Sequence, residues 1–252
     1  LSNARVDLVH ADFSNLDDVQ SAASQILHQF PAIHVLINNA GMHMTTRKLT
    51  VDGFETAFAV NHLASFLFTR LLLDRLIASA PARIIQVNSE GHRFGGLKLD
   101  DHNWDKRRYK GLQGYGASKT AQLMTVWELA ERLNGTGVTI NAVHPGEVAT
   151  NIGMNNGLLY RWCQKYLLAH ILKDPKISGE ALYYFAAAPE LSTTSGKFFN
   201  LTIEEIPAAH ALDRAMGKRV WDISEELTGL HHKMVENTAS TAVENPGFIA
   251  AS

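Results

Sequence analysis

The sequence predicts an α/β fold, a parallel β-sheet flanked by helices. Two observations carry that expectation. Residues Ile33–Ile37, Arg83–Ser89 and Val138–Val143 are short, largely apolar runs rich in β-branched residues, as strands covered on both faces of a parallel sheet are. Amphipathic segments with helical periodicity separate them, the alternation that builds βα units. The 252 residues, 46% of them hydrophobic, suffice for one substantial core.

Taken in order, Val6–Val9 reads as a first short strand, ending in His10-Ala11-Asp12. Asn15 to Asp18 supplies a cap and first-turn carboxylates for a helix to about Phe30, and Pro31 stops it. The strand Ile33–Ile37 runs into Asn38-Asn39-Ala40-Gly41, small and amide residues at the end where an α/β sheet places its ligand crevice. By itself this tetrapeptide fits an ordinary Asn/Gly turn equally well.

A long helix is expected from Val51 to about Ile77, with Asn61 inside its apolar stretch. A buried Asn there needs a hydrogen-bonding reason, structural or functional. The strand Arg83–Ser89 ends on a hydroxyl, again at the crevice end. From Glu90 to Gly114 the composition turns charged and glycine-rich, which reads as a long solvated surface loop. A helix opening at Tyr115 and running to about Leu133 follows, then the strand Val138–Val143 and the rigid turn His144-Pro145-Gly146. Leu158–Leu172 is apolar and aromatic and suggests a substrate lid. Beyond it come a helix from Ser178 to Ala188, a short strand at Gly196–Phe199, and a helix from Asp213 to Leu227. Residues 231–252 read as a flexible tail, and 1–230 as one domain.

Composition excludes several classes. A net charge of −2 and mixed-sign charge runs leave no footprint for nucleic acid or an anionic membrane. The lone Cys163 rules out an intramolecular disulfide and a cysteine-rich metal site, so no metal is expected and a reducing, cytoplasmic setting is. No signal peptide or continuous transmembrane-length apolar run is seen.

The chemistry centres on Tyr115 and Lys119. Four residues apart on a helix, they share one face, so an ammonium can stand near a phenol. A nearby cation favours phenolate and draws the ordinary tyrosine pKa, about 10, toward neutrality, where proton transfer is most effective. On spacing alone a solvated Tyr/Lys pair explains the motif as well.

The ordered set Asn38-Asn39-Ala40-Gly41, Asn61, Ser89, Tyr115 with Lys119, and Pro145-Gly146 followed by Thr150 resembles the short-chain dehydrogenase/reductase family over about Val6 to Leu227. The wide Ser89-to-Tyr115 gap and the Ser-Glu-Gly-His-Arg-Phe run look most like its retinol dehydrogenase and WW-domain oxidoreductase branch. The resemblance implies a Rossmann-like parallel sheet, NAD or NADP as cofactor, and interconversion of a carbonyl and an alcohol on a hydrophobic small molecule. Carried over, Tyr115 is the general acid or base, Lys119 lowers its pKa and holds the nicotinamide ribose, and Ser89 binds the substrate oxygen. Asn61 holds a relay water. Asp12 meets the adenine, Asn38, Ala40 and Gly41 line the adenosine side, and Pro145, Gly146, Val148 and Thr150 flank the nicotinamide.

One departure stands beside this match. The family opens on a strand and a glycine-rich turn for the cofactor pyrophosphate, and no Gly-x-x-x-Gly-x-Gly occurs in these residues. The expectation is an N-terminally truncated sheet lacking its first two strands, with exposed edges that favour a homo-oligomer, a dimer in the simplest case. Three functions stay open: a dehydrogenase completed elsewhere, a cofactor-free acid/base isomerase, cyclase or dehydratase built on the same cluster, or a non-catalytic scaffold.

Overall fold

A computed structural model describes residues 5–146 and 175–230. Five strands form one sheet in the order β1 (Val35–Asn38), β2 (Ala82–Val87), β3 (Val138–His144), β4 (Phe198–Asn200), β5 (Ile203–Glu204). The first four are parallel and β5 returns antiparallel from β4. The sheet is therefore parallel with an antiparallel edge strand.

Helices α1 (Leu16–Gln29), α2 (Thr56–Ala78), α3 (Gly111–Arg132) and α5 (Arg214–Leu227) build the larger core against one face of the sheet. Leu67, Leu72, Leu76, Ile84, Leu123 and Trp221 are among its most buried side chains. Helix α4 (Pro175–Ala187) covers the opposite face, where Phe185 packs with Ile85, Val143 and Phe199. Helix α2 is long and apolar enough to cross a membrane, but 72% of its most apolar window is buried inside the protein. It is a core helix here.

Local chemistry sets the helix ends. The Asn15 side chain accepts from Asp17 N at the start of α1, Glu55 accepts from Ala57 N and Phe58 N at the start of α2, and Asp213 accepts from Met216 N at α5. Helix α2 starts later than its periodicity suggests, because Thr50–Gly53 is spent on a turn in which Gly53 adopts a φ of 82°. Helix α3 begins one turn before Tyr115, at Gly111, whose missing side chain matters: a Cβ would lie 2.6 Å from Met44 O.

Three sequence expectations are corrected. Val6–Val9 is not a strand: Val6 and Leu8 are 86% and 89% exposed and pair with nothing in the sheet. An apolar run of that length has strand propensity but needs a neighbouring edge to bond to. Strand β1 is covered on one face only, with Leu36 and Asn38 buried and Val35 and Ile37 half exposed, since α4 packs against the middle of the sheet. The 90–114 stretch is not a solvated loop. Leu99, Asp101 and Trp104 are buried in it, and the Arg107 guanidinium lies 3.5 Å from the centroid of the Trp104 ring.

Candidate active site

The C-terminal ends of β1, β2 and β3 lead into Asn39–Gly41, Asn88–Ser89 and Pro145–Gly146, and the first turns of α3 bring Tyr115 and Lys119 beside the first two of these. This is the crevice side of an α/β sheet. Tyr115, Ser118 and Lys119 are all buried.

Glycines fix the phenol. A Cβ on Gly91 would sit 2.3 Å from Tyr115 Cε1 and 3.3 Å from Ser89 Oγ, so the tyrosine ring rests on the bare Gly91 backbone with the serine hydroxyl alongside. Gly116 likewise lets α3 close on the 3-10 turn Glu90–Phe94, where a Cβ would meet Gly95 O at 2.7 Å. The His43 ring stands edge-on to Tyr115 at 5.7 Å between centroids. Gly91, Gly116 and His43 escaped the sequence reading. The first two carry no chemistry of their own, and His43 sits in a loop whose path only the fold reveals.

Lys119 Nζ donates to Val87 O at 2.9 Å and to Gln122 Oε1 at 3.2 Å, and lies 6.0 Å from the centroid of the Tyr115 ring. Burial lowers its pKa from 10.5 to about 7. The lysine is thus poised to change charge near neutrality.

Asn61 lies in a π-helical turn, Ala59–Leu63, inside α2. Such a turn frees backbone groups and is frequent at functional sites. Its side chain donates to Met42 O (2.9 Å) and Ser118 Oγ (2.8 Å) and accepts from Met42 N (2.7 Å), tying α2 to the crevice loop and to α3. Ser118 Oγ in turn donates to Tyr115 O at 2.7 Å. The Asn61 backbone carbonyl accepts from Gln122 Nε2 at 2.7 Å and Ser65 Oγ at 2.9 Å. Both of its lone-pair directions are taken by protein.

Ser89 Oγ accepts from Gly91 N at 3.0 Å, and among the described residues its hydroxyl hydrogen is given to no acceptor. Its backbone is held by two neighbours: Ser89 N donates to Asn88 Oδ1 and Ser89 O accepts from His92 Nδ1.

The expected cofactor-binding residues divide. Gly41 faces the cluster, a Cβ there lying 3.4 Å from Asn61 Oδ1 and 3.6 Å from Lys119 Nζ. Pro145 is held through its carbonyl by Ser178 Oγ at 2.6 Å, and Gly146 takes a φ of 80°. The Asn38 side chain turns into the core instead, donating to Thr69 Oγ1 (2.7 Å) and Gln86 Oε1 (3.0 Å). Ala40 continues the exposed turn after β1. Asp12 is exposed and accepts from Ser14 N and Ser14 Oγ, both at 2.8 Å, at the approach to α1. Val148, Thr150 and the 158–172 segment lie outside the described residues.

Bare backbone at Gly41 beside a buried lysine fits the ribose and nicotinamide end of a dinucleotide, which Lys119, Gly41, Pro145 and Gly146 would hold. The described residues contain no glycine-rich turn for the pyrophosphate end.

A Rossmann-type sheet carrying a Tyr/Lys pair at its crevice defines an α/β oxidoreductase. The chain belongs to the short-chain dehydrogenase/reductase family: residues 1–158 match the family described as short chain dehydrogenase. It falls in the retinol dehydrogenase branch. Human retinol dehydrogenase 13 is 39% identical over 232 residues, covering 90% of this chain and 70% of that protein. Human retinol dehydrogenase 14 is 38% identical over 221 residues, covering 87% and 66%. Among solved structures, an uncharacterized protein from Mycobacterium paratuberculosis is 31% identical, with a TM-score of 0.71, over 89% of this chain and 76% of that one. The fold alone is shared with the NADPH-bound carbonyl reductase from chicken fatty liver, at 20% identity and a TM-score of 0.57 over 79% and 76% of the two chains.

Proposed function

We propose that this chain serves an NAD(P)(H)-linked oxidoreductase that interconverts a carbonyl and an alcohol on a hydrophobic small molecule, a retinoid-like aldehyde or alcohol being the first to try. The observation that carries the reading is the seat of the Tyr115 ring on the bare Gly91 backbone, which Ser89 Oγ also flanks, with Lys119 on the same helix face. The names of the relatives supply the substrate class.

In this reading a substrate carbonyl oxygen lies between the Tyr115 and Ser89 hydroxyls. Tyr115 gives its proton to the oxygen as negative charge grows there, or removes it in the reverse direction, while Ser89 donates a hydrogen bond that strengthens with that charge. Lys119 in its ammonium form stabilises the phenolate that Tyr115 becomes. The bound nicotinamide supplies or accepts the hydride. Dry packing around Ser118, Lys119 and Asn61 keeps these interactions strong.

The test is titration of the purified protein with NADPH and NADH, read by energy transfer from its tryptophans, followed by the reduced-nicotinamide absorbance with retinal and short aldehydes. Binding with turnover, lost by a factor of about 10² to 10⁴ in Tyr115→Phe, supports the reading. Turnover of a substrate without nicotinamide, equally dependent on Tyr115, replaces it with proton-only chemistry. The reading also carries a cytoplasmic homodimer, which fractionation and light scattering check.

A further inference from the structure

Gln122 lies one helical turn beyond Lys119 on α3 and is 1% exposed. Every polar atom of its side chain is engaged. Nε2 donates to Asn61 O at 2.7 Å, and Oε1 accepts from Asn88 Nδ2 at 2.8 Å and from Lys119 Nζ at 3.2 Å. The partners fix the orientation of the amide, because a carbonyl can only accept and an ammonium only donate. Asn88 passes the connection on, its Nδ2 also bonding Lys119 O and its Oδ1 holding Ser89 N. One side chain therefore joins the lysine, the π-turn of α2 and the strand end that carries Ser89.

Resting on the function proposed above, we propose that Gln122 is the positioning residue of the Tyr115–Lys119 pair, bridging the lysine ammonium directly to the Asn61 carbonyl. With Val87 O as the second anchor, two of the three ammonium hydrogens are committed to fixed acceptors. The third is left for the side where Gly41 has no Cβ. Gln122 also supplies dipolar stabilisation to a cation that burial otherwise penalises.

The titratable groups around the pair bear on its pH behaviour. Tyr115 shares the helix and His43 meets the Tyr115 ring from the loop after β1, whereas His62 turns to Ser224 and His92 to Ala208 N and the Phe198 ring. Among the described residues no carboxylate pairs with Lys119, so burial acts on its charge with only the amide and carbonyl acceptors to offset it.

Two substitutions move that charge in opposite directions. Gln122→Met keeps length and removes the acceptor, so the Lys119 titration falls by about one pH unit or more; Gln122→Glu places an anion there and raises it by a similar amount. The Nζ titration is followed by 15N NMR on lysine-labelled protein, its resonance assigned with Lys119→Met, and the pH profile of reductase turnover by absorbance. Opposite shifts in folded variants support the positioning role. A purely structural glutamine predicts an unmoved titration and turnover scaled equally at all pH values, and that result overturns it. If the NMR shifts appear but no hydride transfer is found in the wild type, the positioning role stands and the proposed reaction fails. If turnover is present and the titration is unmoved in both variants, the reverse holds.

Discussion

The Tyr115 ring lies against Gly91 so closely that a methyl group on the glycine would stand 2.3 Å from Cε1. Gly91→Ala must therefore displace the phenol or open the turn after β2. Overpacking of this kind costs about 1–3 kcal/mol, whereas a phenol moved from its place beside Ser89 loses far more in turnover. The expected outcome is a folded protein with a modestly lower Tm and turnover reduced about 100-fold. Circular dichroism and nicotinamide absorbance read the two effects separately.

Lys119 makes stability depend on pH in a defined direction. Its folded-state pKa of about 7 lies below the ordinary 10.5, so between these values the unfolded chain binds the proton and the folded protein does not. Stability then rises with pH across that window, and below about pH 7 the cost of burying the charge is constant and at its largest. Lys119→Met removes this slope. Urea unfolding at pH 7, 8, 9 and 10 shows a steeper rise for the wild type than for the variant.

How much of this was legible in the sequence depends on the kind of information each element carries. The Asn15 cap, the helix near Asp213, the middle strands of the sheet and the Tyr115/Lys119 face of α3 follow from local chemistry and periodicity, and the structure has them where the residues indicate. The failures are non-local. Val6–Val9 has the composition of a strand, but pairing requires an edge that composition does not encode. Asn38 looks like a crevice residue by position, yet the alternation of a strand sends its side chain to the core face, opposite Gln86. Gly91 and Gln122 matter through what touches them, and only the assembled fold supplies those neighbours.

Asn38 therefore belongs to stability more than to ligand binding. Its amide satisfies Thr69 Oγ1 and Gln86 Oε1 inside the core. Asn38→Ala leaves both without that donor and lowers stability by about 1–3 kcal/mol. Nicotinamide affinity, measured at a temperature where the variant is folded, changes less than threefold. A larger loss of affinity with unchanged stability would return Asn38 to the cofactor site.

The loop between Ser89 and Tyr115 is held by its own small core, and that core is testable apart from catalysis. Trp104 adopts a φ of 59°, with the Arg107 guanidinium over one part of its indole and the Tyr109 ring edge-on to another. Arg107 also pairs with Asp101 at 3.1 Å, while Asp101 Oδ1 accepts from Asp105 N and Lys106 N. Stacking and ion pairing depend on the planar guanidinium, so Arg107→Lys behaves nearly as Arg107→Ala does. Each lowers stability by about 1–2 kcal/mol. Hydrogen exchange locates the change: amides of residues 99–109 lose protection in both variants, while those of α5 and β3 keep theirs. Because Tyr109 hydrogen-bonds Glu55 at 3.1 Å and packs where Gly114 lacks a Cβ, loosening this loop also frees the first turn of α3, and turnover falls through Tyr115 without any change at the phenol itself.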